Sequence, residues 1–129
     1  MKYYHSKTFR GFDFEALLTR VEKELNEEGF GILTEIDLSE TLKKKLNVDF
    51  RKYRILGACN PTMAHRALLA EPKIGIMLPC NVILEEIDED RIEVSAVNPI
   101  ASMQAVNNTE LEAIATSVNQ KLKTVIDNL

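Results

Sequence analysis

The spacing of apolar positions divides the chain into helices, strands and turns. Asp13 is suited to cap a helix, and after it Phe14, Leu17, Leu18, Val21 and Leu25 recur at helical spacing until Gly29, which predicts an amphipathic helix ending there. A second stripe lies near the end of the chain, where Leu111, Ile114, Ala115, Val118, Leu122, Val125 and Ile126 share one helical face behind a capping box of Thr109 and Glu112. Asp37 and Glu40 stand in the same relation around Leu38, Leu42 and Leu46, predicting a short helix with Leu42 and Leu46 facing inwards. Asn60-Pro61 and Asn98-Pro99 each place a cap before a proline at the first helical position. The first opens a helix over residues 61–70, stopped by Pro72, and the second opens a helical piece reaching about Val106.

Between these lie β-rich runs. Residues 3–9, 30–36, 52–59 and 91–97 read as strands, and 74–78 with 82–87 read as one long strand interrupted at Pro79-Cys80-Asn81. Proline donates no ladder hydrogen bond, so Pro79 implies an edge position or a bulge. Asp88-Glu89-Asp90 turns that strand back into the next as a hairpin, which makes at least part of the sheet antiparallel. The order predicts an α+β fold: a mostly antiparallel sheet of about five strands packed with two long amphipathic helices plus short helices. The first and last helices are expected on one face. The apolar segment 74–78 leaves the other face in need of cover, by a second copy of the chain in a two-fold homodimer or by the helix over 61–70.

Composition narrows the classes. With 129 residues, 45% hydrophobic and 28% charged, the chain reads as a single globular domain over residues 1–129. Its 14.6 kDa scales to about 6,900 Å² of folded surface, enough burial for one core without staples. A net charge of −4 and a pI near 5.2 argue against nucleic acid as a partner, because phosphate binding needs clustered Lys and Arg. The longest apolar stretch, residues 74–84, contains Pro79 and is shorter than the roughly 20 residues that span a bilayer, so no membrane partner is expected. The opening residues 1–7 lack an apolar core and a cleavage site, which points to a cytoplasmic protein with Cys59 and Cys80 as free thiols.

The chemistry concentrates at Cys59-Asn60-Pro61 and Pro79-Cys80-Asn81, where each thiol precedes an asparagine near a strand interruption. Cys59 stands just before a helix cap, where unpaired amides and the helix dipole favour a thiolate, so it is the candidate nucleophile. The ordinary alternative for both thiols is a small buried hydrophobe. His65, in the helix that follows, could activate Cys59 or join both cysteines around a metal or haem, but the spacing matches no zinc pattern. Met63, Met77 and Met103 read as core fillers. The basic segment Lys43-Lys44-Lys45 with Arg51, Lys52 and Arg54 reads as a solvated face, and the acidic hairpin around Arg91 as a soluble turn. Phosphate-loop, dinucleotide and nucleophile-elbow motifs are absent. The Ala-X-Asn-Pro step occurs twice, at Ala58 and at Ala96, and is explained by Asn-Pro being a good helix start.

Three spaced blocks, Tyr53-Arg54-Ile55-Leu56-Gly57-Ala58-Cys59-Asn60-Pro61, Ala64-His65-Arg66-Ala67-Leu68 and Ile74-Gly75-Ile76-Met77-Leu78-Pro79-Cys80-Asn81-Val82, resemble the bacterial and archaeal family known as domain of unknown function 302. Residues 28–37 are similar to it as well, and the resemblance runs from about Leu17 to Pro99. It implies a compact α+β homodimer and no particular activity, and it makes the region of Cys59, Asn60, Pro61, His65, Pro79, Cys80 and Asn81 the family's site. The leading expectation is therefore a cytoplasmic homodimeric module binding a small molecule through Cys59, Asn60, His65, Cys80 and Asn81, with no cofactor identified. The alternatives are a thiol-dependent redox or transfer enzyme using Cys59 with Cys80 or His65, and a metal- or haem-binding protein.

Overall fold

The structure, a computed structural model, describes residues 2–129; Met1, the first residue of the opening segment, lies outside them. The elements run β1 (Tyr4–Arg10), α1 (Phe14–Glu27), β2 (Gly31–Asp37), α2 (Leu38–Leu46), β3 (Tyr53–Cys59), α3 (Pro61–Ala70), a 3₁₀ segment (Pro72–Met77), β4 (Cys80–Glu86), β5 (Arg91–Val97), α4 (Pro99–Ser102) and α5 (Thr109–Asn128). The five strands form one sheet in the order β1-β5-β4-β3-β2, and every neighbouring pair is antiparallel. The fold is the expected α+β arrangement.

Capping explains most helix starts. Asp13 accepts from the Ala16 amide at 3.0 Å, and Asp37 accepts from the Glu40 amide at 3.0 Å. The final helix departs from expectation by one residue. Asn108 is its cap, accepting from the Leu111 amide at 3.0 Å, while its Nδ2 donates to the Ala70 carbonyl at 2.9 Å. Asn108 thus serves both helix and neighbour, which the Thr109 hydroxyl would not. The repeated Ala-X-Asn-Pro step is geometrically real. Asn60 and Asn98 cap their helices with nearly the same backbone, φ −95° and ψ 104° against φ −95° and ψ 101°.

Alternation along the strands separates two sheet faces. Leu56 and Ala58 of β3, Val82 and Leu84 of β4, and Ile92, Val94 and Ala96 of β5 are all buried on one of them. Helices α1 and α5 cover that face with the apolar stripes read from the sequence. Two links across it are polar: Arg54 of β3 pairs with Glu15 of α1 at 3.0 Å, and His5 of β1 meets Asn119 of α5 at 2.7 Å.

Several expectations fail here. Residues 74–78 form no strand; most of them belong to the 3₁₀ segment, which buries Ile74 and leaves Ile76 81% exposed. The preceding Pro72 and the short apolar run suit a tight turn as well as a strand, and periodicity cannot separate them. Pro79 is neither at an edge nor in a bulge: it joins Leu78 through a cis bond and precedes central strand β4. The register shift of the sheet falls instead between Ile32 and Thr34 of β2. Helix α2 has no buried residue, and Leu46 is exposed, because α2 lies against β3 beside an edge strand with little to cover it. Met77 is also exposed, whereas Met103 is buried. Helix α3 packs against α5, on the side already covered, and so does not close the opposite face.

That opposite face stays open. It presents Tyr53 and Ile55 of β3, Asn81, Ile83 and Glu85 of β4, Glu93, Ser95 and Val97 of β5, and Tyr4 of β1. The total accessible surface of 7574 Å² exceeds the roughly 6,900 Å² expected for this mass, in keeping with an uncovered sheet.

Candidate functional site

The sequence-selected residues do not form one site. Cys59, Asn60 and Cys80 line a small cavity closed by Met63 and Ala67 of α3 and by Ile114 of α5. Its volume is about 30 Å³. That holds about a single water and no organic ligand. Asn81 lies on the open face, because adjacent residues of a strand project to opposite sides of the sheet. His65 is exposed on α3, whereas Met63, Ala64 and Ala67 of the same helix line the cavity. Among the described residues, no three His, Cys, Asp or Glu side chains come together as a metal would require.

The two thiols differ in setting. Cys80 is buried opposite Ala58, and burial, with Cys59 as the lesser contributor, pushes its thiol up to about 11. It is therefore protonated at neutral pH and is a poor nucleophile. Cys59 is half-buried at the end of β3, paired with Gly31 of β2.

Asn60 is occupied by structural bonds. Its Oδ1 accepts from the Met63 amide at 3.3 Å, and its Nδ2 donates to the Glu28 carbonyl at 3.4 Å, tying the start of α3 to the end of α1. Asn98 repeats the arrangement by donating to the Lys2 carbonyl at 3.2 Å. Gly57 shows why the Gly-Ala-Cys step suits this strand. A Cβ at this position would collide with Thr34 Oγ1 and lie 2.8 Å from Pro79 Cγ, so β2, β3 and the β4 entry close together only over glycine.

The open face has a recess larger than the thiol cavity. Tyr3, Tyr4, Tyr53, Asn81, Glu85 and Ser95 contribute to a concavity of about 380 Å³ with Ile83 and Val97 in its floor. Glu85 and Glu93 are directly opposed across β4 and β5, and Glu85 also faces Tyr53 across β3. Arg51 reaches Glu85 at 3.3 Å, and the Thr8 hydroxyl donates to Glu93 at 3.4 Å. Burial, then the Glu85 charge, raises the Tyr53 phenol above its ordinary range, so the ring keeps its proton and remains a donor. Apart from Asn81, sequence reasoning missed this group because its members come from four strands. The period-two placement of Asn81, Ile83 and Glu85 was the available signal.

The DUF302 sequence profile, described as a domain of unknown function, matches residues 5–129. The chain belongs to the DUF302 family. It is similar to the crystal structure of an uncharacterized conserved DUF302 protein from Bacillus stearothermophilus, with 25% sequence identity, a TM-score of 0.89 and 98% of each chain covered. No curated protein matches. The DUF302 match extends across β1 and the last helix, beyond the central blocks that first suggested it. Among the described residues, no helix is long and apolar enough to cross a membrane.

Proposed function

We propose that this DUF302 chain is a single-domain homodimeric module that binds a small molecule on its open sheet face rather than beside its thiols. The concavity of about 380 Å³ carries this reading. Small-molecule sites occupy roughly 300–1,000 Å³ and combine an apolar floor with a few polar groups. The recess has both, whereas the cavity at Cys59 and Cys80 is more than tenfold smaller. Two free thiols favour a cytoplasmic setting.

A second copy is favoured by a separate apolar patch on α3 and the 3₁₀ segment. Leu69 is 72% exposed and Ile76 81%, with Leu68 and Met77 beside them in sequence. Contiguous exposed apolar side chains of this kind mark contact surfaces.

Light scattering after size exclusion tests the dimer: the wild type should run at twice the chain mass and Ile76→Glu at the chain mass, and a monomeric wild type would refute it. Amide NMR titration with a metabolite set tests the site. Signals of Tyr53, Asn81, Ile83 and Ser95 should move together; ligands that shift only Cys59 and Cys80 would overturn the location.

A further inference from the structure

We propose that the open face takes a small organic cation, a single protonated amine on an apolar stem, held between Glu85 and Glu93. The inference rests on the open-face reading and names its ligand class. Two carboxylates directly opposed on one sheet face repel each other and cost stability unless something positive separates them. The side chain of Glu85 is only 14% exposed, so solvent screens it weakly. Arg51 offsets one of the two charges, and among the described residues Glu93 has no cationic partner. Glu93 is thus left without a cation at salt-bridge distance among the described residues, which suits a monocation.

A second observation points to the same place. Ser95 lies between Glu93 and Val97 on β5, lines the concavity, and is only 8% exposed. Its hydroxyl makes no hydrogen bond among the described residues and, since no sealed side-chain polar atom among them lacks a partner, it opens onto the recess. A ligand ammonium could satisfy it. The rings around the recess already attract this chain's own cations: Lys2 Nζ stands 4.8 Å from the Tyr4 ring centre, and the Arg51 guanidinium 5.8 Å from that of Tyr53. Ile83 and Val97 supply the surface for the stem.

Phenethylamine and 2-phenylethanol test this, since they share a stem and differ in charge. In NMR titrations at neutral pH the amine should shift the amides of Glu85, Glu93 and Ser95 and bind at least roughly tenfold more tightly than the alcohol. Glu93→Gln should abolish that preference, with Glu85→Gln as the second variant should the first fail to fold. Added salt should weaken the amine alone. Equal affinity for both probes at the open face would overturn the cation and leave the pocket standing. Silence of the open-face signals with both probes would overturn the two readings together, as would shifts confined to other surfaces for the pocket.

Discussion

The two sides of β4 make opposite use of neighbouring residues. Cys80, Val82 and Leu84 enter a packed interior, and the cavity lined by both thiols is about 30 Å³. Asn81, Ile83 and Glu85 face a recess of about 380 Å³ that, among the described residues, no helix lines. The strand backbone is the same on both sides; what differs is whether a helix stands opposite. Apolar density is thus a poor guide to ligand sites in this chain, since its most apolar face is the one already filled.

Truncating each side in turn tests the contrast. Leu84→Ala should cost about 2–5 kcal/mol, the range for a fully buried leucine. Its neighbour Ile83→Ala should cost less than about 1.5 kcal/mol, because that side chain is only half-buried and leaves no sealed cavity. Urea denaturation measures both, and equal losses would mean that the open face is packed in solution.

The thiol side should also reveal itself in alkali. Cys80 is pushed up from an ordinary 9.0 to about 11, so the folded state holds this proton more tightly than the unfolded chain does. The associated stability is complete below about pH 9 and is lost as pH rises towards 11, with a size on the order of 2 kcal/mol. Denaturation between pH 8 and about 11 should show a flatter decline for Cys80→Ala than for wild type.

Gly57→Ala should destabilise by about 1–3 kcal/mol through overpacking against Thr34 and Pro79. Thr34→Ala should recover part of that loss by removing the nearer obstacle. The smallest contrast separates the two asparagines of the cysteine motifs. Asn60→Ala should cost about 1 kcal/mol through loss of the α3 cap, whereas Asn81→Ala should change stability by less than about 0.5 kcal/mol. A reversal of that order in thermal melts would reassign which asparagine is structural.

The long helices were legible because burial depends on period. Every residue of the α1 and α5 stripes that the pattern selected is buried, and most caps were identified from local chemistry. The 3₁₀ segment was not legible, since residues 74–78 form a short apolar run that suits a strand while Pro72 and Gly75 permit a turn. The candidate site was legible only as separate residues. Asn60 and Asn98 proved to be tethers as well as caps, because their second hydrogen bonds reach Glu28 and Lys2, far away in sequence. His65 carried a suggestive spacing from Cys59, but a helix turns its successive residues to different sides and this one meets solvent.

The sequence by itself determined the α+β class, the hairpin of β4 and β5, both long helices and the capped starts of α1, α2 and α3. These depend on side-chain period and on hydrogen bonds within a few residues. Only the tertiary structure decided that Cys59 and Cys80 share a cavity, that Asn81 leaves them, and that Glu85, Glu93, Tyr53 and Ser95 meet on one surface. Strand order and register are set by how the whole core closes, and those choices bring together residues that no local pattern relates.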